Sequence, residues 1–221
     1  MMSIFQKIKN RIGLKRWIQN QNYIGSKVII GKNTIVKASF LSGEISIGNN
    51  CKIYGASLNG RIQIGDFTSI WGPNIDINSS INSIRIGKFC SIAKNVTFQE
   101  FNHDHTKFTT FFIHKNILKD ESFGADIVSK GEIIIENDVW IGAHSVILSG
   151  AHVSTGSVIA ANSVVTGFVP PYSIVGGTPA KIIKSRFSPD VCEKLLESKW
   201  WDLSFDELKS NIAHLEKIVG N

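Results

Sequence analysis

Between Ile135 and Val165 an aliphatic residue returns at every sixth position: Ile135, Ile141, Ile147, Val153, Ile159 and Val165. Shorter runs with the same step precede it: Ile24–Ile30–Val36, Ile47–Ile53, Ile64–Ile70 and Ile86–Ile92–Phe98. A helix repeats near 3.6 residues and a half-buried strand at 2, so a step of six is the signature of neither. It requires an internal repeat whose unit is one short strand and one corner. The residue after the aliphatic is often Gly or Ala, as at Gly31, Gly48, Gly65, Gly87, Ala93, Gly142 and Ala160. The fourth residue after it is small, as at Thr34, Cys51, Ser57, Thr68, Cys90, Ser145, Ala151, Ser157 and Ser163. The spacing predicts an all-β solenoid of triangular section. Aliphatic side chains fill its interior, small residues sit at its tight corners, about 18 residues close a coil, and coils stack about 4.8 Å apart.

The coil is expected over residues 21–185, with two interruptions. The longer is a loop over 99–130, which carries His103, His105, His114 and five phenylalanines. A long excursion from a regular solenoid points to function, and its aromatic residues need a partner surface, most simply a neighbouring copy of the chain. A smaller bulge is expected over Ile75–Ser83. After Val165 the stretch VPPYSIVGGTPAKII reads as a strand leaving the last coil, because proline cannot join a ladder. Residues 186–221 read as two helices. Ser188 caps the first, with Pro189 and Asp190 in its opening turn. Ser204 and Glu207 form a capping box for the second, which ends at Gly220. Trp200 and Trp201, between the helices, read as packing against the coil. In residues 1–20, Ile4, Phe5, Ile8, Ile12 and Trp17 recur at near-helical spacing. They predict a helical cap on the open coil, whose basic face also suits peripheral contact with a membrane.

Composition narrows the class. With 43% hydrophobic and 19% charged residues, the chain can bury a core and is not of the disordered type. No apolar run approaches the roughly 18 residues of a membrane span, and none resembles the core of a secretory signal, so a cytoplasmic protein is expected. Three cysteines make neither a disulfide framework nor a C-x-x-C pair, and Cys51 and Cys90 fall at corner positions. The net charge of +6 gathers near the ends, with Lys181, Lys184 and Arg186 clustered late. No nucleic-acid-binding motif accompanies it, which leaves a membrane surface or a phosphate-rich small molecule as its counterpart.

The blocks IGKFCSIAKNVTF, Asn102–His103, NDVWIGAHSVILSG, GGTPAKIIKSRF and KWWD, in that order, resemble the xenobiotic acetyltransferase branch of the hexapeptide acyltransferases. That branch includes enzymes that inactivate chloramphenicol and streptogramin A, and capsule or lipopolysaccharide O-acetyltransferases. The resemblance runs from about Ile64 onward. It implies a left-handed parallel β-helix and a homotrimer with active sites at subunit interfaces. Acetyl-CoA would lie along the coil axis as co-substrate, with no metal required. It implies His103 as catalytic base, with Trp140, Gly142, Ala143, Ala160 and Ala161 flanking the pantetheine arm and Thr166 and Lys184 nearer the nucleotide.

The residues fit that chemistry. A hydroxyl attacks a thioester poorly until a base takes its proton, and histidine suits that task near neutral pH. Lys181, Lys184 and Arg186 suit the phosphates of CoA. Asn102 and His105 flank the base and are candidates for the acceptor. Asp104 or a backbone carbonyl is expected to orient the imidazole, while His114, His144, His152 and His214 read as surface residues. There is no Gly-x-Ser-x-Gly elbow, so direct transfer without an acyl-enzyme is expected. The drug-modifying members carry a loop of the type Asn-His-Arg-Met-Asp-Gly-Ser-Thr-Tyr-Pro-Phe, where this chain reads NHDHTKFTTFF. The departure turns the expected acceptor towards a sugar hydroxyl of a polysaccharide, lipopolysaccharide or related saccharide. Antibiotic O-acetylation, sugar N-acetylation, zinc chemistry of the γ-carbonic anhydrase type through His103, His105 and His144, and a non-catalytic scaffold are the alternatives.

Overall fold

The structure, a computed structural model, describes residues 21–120 and 123–220. Residues 1–20, with the expected cap and membrane contact, lie outside the described residues. The chain winds into a left-handed parallel β-helix of three faces. On the first face Ile47 pairs with Ile64, Ile64 with Ile86, Ile86 with Ile135, and Ile135 with Val153, all in parallel. The second face stacks Ile53, Ile70, Ile92, Ile141, Ile159 and Val175 in the same way. The third stacks Leu58, Ile77, Phe98, Ile147 and Val165. Every one of these side chains is buried, and together they form one continuous core. The six-residue step is therefore the distance from one face of the triangle to the next.

Repetition also satisfies the backbone. Gly31, Gly48, Gly65 and Gly87 each donate to the carbonyl of the aliphatic residue that the next coil places above their preceding neighbour, Ile47, Ile64, Ile86 and Ile135, at 2.8 Å. A glycine is required where the backbones of successive coils approach closely: a Cβ on Gly142 would stand 2.6 Å from the amide nitrogen of Ala161. One corner stacks Asn33, Asn50, Phe67, Phe89, Asp138, Gly156 and Tyr172, all at positive φ. Two phenylalanines in that conformation cost about 1–2 kcal/mol each. Their rings offset this by stacking on each other at 4.9 Å and by packing under the C-terminal segment, with Trp200 at 4.9 Å from Phe89.

Four expectations change. The lower coils close in seventeen residues, not eighteen, because the third face starts one residue early. Ala56 then points inward and Ser57 lies on the outside beside Asp76. The bulge expected over Ile75–Ser83 is shorter: Ile75 and Ile77 are core residues of the strand Ser69–Asn78, and only Ser79–Ser83 leave it. The strand expected to depart instead stays. Ser173–Gly176 completes the last coil, and Lys181–Ser185 turns back antiparallel upon it. Of the first run, Ile24 is exposed and Ile30 and Val36 are half-buried, since their coil has a described neighbour on one side only.

The excursion begins at Glu100 and the coil resumes at Ile133–Ile135. It contains a four-residue helix, α1, Ile113–Asn116. Helices α2, Pro189–Ser198, and α3, Phe205–Val219, lie where the caps placed them. The Ser204–Glu207 capping box is formed, whereas Ser188 makes no side-chain bond at the start of α2. Trp201 is buried, in keeping with its reading as packing.

Candidate active site

The loop that carries His103 is tied down at its root. Glu100 is fully buried, and its carboxylate accepts the N–H groups of Ser80 and Ile81, both at 2.9 Å, and the amide of Asn82 at 3.0 Å. Asn82 also donates to Ser129 Oγ at 3.0 Å. The small bulge at Ser79–Ser83 thus fastens the exit of the excursion to its return. From there Asn102–His103 pairs antiparallel with Ile127–Val128, a two-stranded ribbon separate from the coil.

His103 stands exposed on this ribbon. Its Nδ1 lies 2.5 Å from the carbonyl oxygen of Thr110. A carbonyl can only accept, so Nδ1 carries the proton and Nε2 of the neutral ring keeps its lone pair free. Phe112 stacks on the ring at 4.2 Å and 5°. The imidazole is therefore held in the tautomer that a general base needs, by a backbone carbonyl of its own loop. Asp104 does not orient it. That carboxylate accepts the hydroxyl of Thr106 at 2.6 Å and its N–H at 3.0 Å, bonds that hold it below the usual carboxylate range. Asn102 reaches Ser149 Oγ at 3.4 Å, and His105 is exposed.

The residues expected to hold the cofactor lie mainly on the second face. Trp140 is half-exposed in an outward column formed by Ser69, Ser91, Trp140, Val158 and Ile174, and Lys184 pairs with Ile174 at its top. A groove of about 310 Å³ runs beside Trp140, lined by Ser91, Val158, Ile174 and Arg186. Two residues further along each strand, the register continues into Gly142, Ala160 and Gly176, with Ala143 and Ala161 at the adjoining corner. Lys181, paired with Gly176, and Lys184 are exposed. Thr166 is exposed on the far side, one residue beyond Val165 on the third face. His103 leaves the coil after the third face whereas Trp140 stands on the second, so along the wall of the coil the third face lies between this imidazole and the groove.

Several expectations for single residues change. Arg186 is committed to the fold: it pairs with Asp138 at 3.1 Å, donates to the Gly156 carbonyl at 2.6 Å, and lies against the rings of Tyr172 and Phe187. His114 is not a free surface residue, because its Nδ1 lies 2.6 Å from the carboxylate of buried Asp126. His152 lies 2.7 Å from Glu136. His144 and His214 are exposed as expected, His144 beside Asn95 at 3.2 Å. Cys51 and Cys90 are buried corner residues. Burial pushes both thiols up, that of Cys90 to about 12, which makes them poor nucleophiles. Among the described residues, no group of three or more His, Cys, Asp or Glu side chains is placed to hold a metal ion, and no helix is long and apolar enough to cross a membrane.

One feature escaped the sequence reading. Tyr54 and Trp71 follow Ile53 and Ile70, at the position that later units give to Ala93, Gly142 and Ala160. They stack at 4.8 Å, Trp71 half-exposed, with Lys37 over the Tyr54 ring. The register places this pair directly beneath the small-residue column. Aromatic residues where the repeat favours Gly or Ala were the available signal.

Residues 132–167 match the family model described as bacterial transferase hexapeptide (six repeats). A probable macrolide acetyltransferase of Lysinibacillus sphaericus is 41% identical over 61% of this chain and 78% of its own length. A chloramphenicol acetyltransferase of Agrobacterium fabrum is 38% identical over 57% of this chain and 62% of its own. A putative lipopolysaccharide biosynthesis O-acetyl transferase of Escherichia coli is 33% identical over 50% and 57%. In fold the chain is similar to an N-acyltransferase of Bacillus cereus, solved in complex with dTDP and coenzyme A, with a TM-score of 0.61 and 22% identity over 85% of this chain and 96% of that one. With a hexapeptide coil, a loop-borne imidazole and relatives of this kind, the chain belongs to the hexapeptide-repeat transferases and is an acetyltransferase.

Proposed function

We propose that this protein transfers the acetyl group of acetyl-CoA to a sugar hydroxyl, with His103 as general base. The reading is carried by the Tyr54–Trp71 stack beneath the small-residue column, with Trp71 half-exposed. An open aromatic face suits the apolar C–H face of a pyranose, and amide and carboxylate groups such as Asn74, Asn95 and Asp76, close by in the coil register, suit its hydroxyls. His103 Nε2 takes the hydroxyl proton as the oxygen attacks the thioester carbonyl. The tetrahedral intermediate collapses with loss of the CoA thiolate, which recovers that proton from the imidazolium, so no acyl-enzyme is formed. The thioester would lie along the second face near Trp140, Gly142 and Ala160. Because the third face separates that groove from His103, two copies of the chain would complete each site, most simply in a cytoplasmic homotrimer.

A second reading, acetylation of an antibiotic hydroxyl, is favoured by the identity to the macrolide and chloramphenicol relatives. Release of free thiol from acetyl-CoA separates the two, measured against a panel of free saccharides, nucleotide sugars, chloramphenicol and a streptogramin A. Turnover with a saccharide that disappears in His103→Ala supports the first reading. Turnover confined to a drug overturns it in favour of the second.

A further inference from the structure

We propose that Asp126 is a positioning residue for His103, acting through the opening of α1 and through Phe112. This rests on the reading of His103 as base.

The imidazole is held by three things: the Thr110 carbonyl, the Phe112 ring, and the pairing of its own backbone with Ile127. The first two belong to residues 110–112, immediately before α1. A helix of four residues cannot hold itself, since nucleation costs more than one turn of hydrogen bonds returns. Phe112, at its N-cap position, makes no side-chain capping bond. Asp126 supplies the cap from across the loop. Its Oδ1 accepts the N–H of His114 at 3.3 Å, its Oδ2 accepts the N–H of Lys115 at 3.0 Å, and Oδ1 also meets the His114 imidazole at 2.6 Å. These are the backbone donors that a short helix leaves unpaired. On its other side, the carbonyl of Asp126 accepts the N–H of Asp104 at 3.2 Å. One residue, with its side chain 3% exposed, thus grips the backbone just after His103 and the segment that supplies the ring's two side-on contacts.

Two features separate this from ordinary loop packing. The carboxylate is spent on groups of the Phe112–Lys115 segment, which contributes nothing to the coil core. The coil itself holds a similar pair, His152 with Glu136 at 2.7 Å, on the first face and away from the His103 ribbon, which provides a matched control. If the clamp is removed, the Thr110 carbonyl is no longer fixed beside Nδ1, and the neutral ring is free to carry its proton on Nε2. That tautomer cannot act as the base at Nε2.

The test is the nitrogen spectrum of protein labelled with ¹⁵N-histidine, at a pH where the ring is neutral, with the His103 signals assigned by His103→Ala. The native protein should show the Nδ1–H form at His103. Asp126→Ala should shift it to a mixture or to the Nε2–H form, and Asp126→Asn, which keeps one carbonyl acceptor, should lie between them. Glu136→Gln should leave it unchanged. On an acceptor from the panel that turns over, Asp126→Ala should lower kcat roughly 10- to 100-fold with KM for acetyl-CoA and Tm unchanged. An unaltered His103 tautomer in Asp126→Ala overturns the inference, as does a loss of kcat matched by a loss of Tm. Normal turnover in His103→Ala would instead overturn the base assignment on which it stands.

Discussion

The coils and the excursion solve the same backbone problem in opposite ways. In the coils each amide finds its partner in the next turn, so the ladder from Gly31 to Gly87 repeats one bond at one length. The inward side chains there fill space, with Ile53, Ile70, Ile141, Ile147 and Ile159 all at 0% exposure, and the corner side chains repeat one job from coil to coil, Asn49, Asp66 and Asn137 each accepting a backbone N–H of the neighbouring coil. In the excursion no neighbouring turn exists, and single carboxylates take over the role of the ladder. Glu100 gathers the N–H groups of Ser80 and Ile81, Asp104 that of Thr106, and Asp126 those of His114 and Lys115. The difference teaches where each kind of substitution should act. Coil changes should reach the stability of the whole solenoid, because each layer packs on the next. Loop changes should reach the chemistry and leave the solenoid standing.

The largest expected effect is the loss of the proposed base. His103→Ala should lower turnover roughly 10²- to 10⁴-fold with Tm unchanged, measured by thiol release and by thermal unfolding. A fall in Tm alongside it would break the division between coil and loop. Ile147→Ala is the converse. It opens a cavity in a packed layer and should cost about 2–5 kcal/mol in denaturant unfolding, while the folded fraction turns over normally. Normal stability in that variant would mean that the layers do not support one another. Trp71→Ala sharpens the comparison, since it sits on the coil yet belongs to the proposed acceptor site. It should raise the acceptor KM about tenfold and leave KM for acetyl-CoA alone, a change of about 1.4 kcal/mol.

The smallest effect is in pH. Burial opposes ionisation of Asp126, but the His114 imidazole and the two backbone N–H groups outweigh it and hold the carboxyl below its usual range. A depressed acid contributes stability that is complete above its unfolded pKa, near 3.9, and lost as pH falls through the lower folded value. Amide exchange at Ile127 should therefore be as protected at about pH 5 as at neutrality and fail only in stronger acid, with the coil amides protected throughout.

How much of this was legible depended on periodicity. Ile135 to Val165 announced both the core and its spacing, because a residue that recurs once per face must point the same way each time. The second C-terminal helix, α3, announced itself at Ser204 and Glu207, since a capping box is a local interaction. Ala56 was misread in favour of Ser57, because the loss of one residue on the third face leaves the six-residue pattern looking intact on either side. That Asn102–His103 opens the excursion was legible from where the repeat breaks off after Phe98. His114 was not, because its partner is Asp126, twelve residues away across a turn with no repeat to predict it.

The sequence by itself determined the triangular coil, its buried residues, the site of the excursion, the C-terminal helices and the family resemblance that names His103. Each depends on neighbours along the chain or on a fixed step between stacked ones. Only the tertiary structure decided that Thr110 fixes the imidazole tautomer, that Arg186 serves the fold, and that Tyr54 and Trp71 stand beneath the small-residue column. It also decided that the third face separates His103 from Trp140. These facts depend on which residues stack on which after insertions of unequal length, and a few added residues in one coil shift that register without disturbing the local pattern.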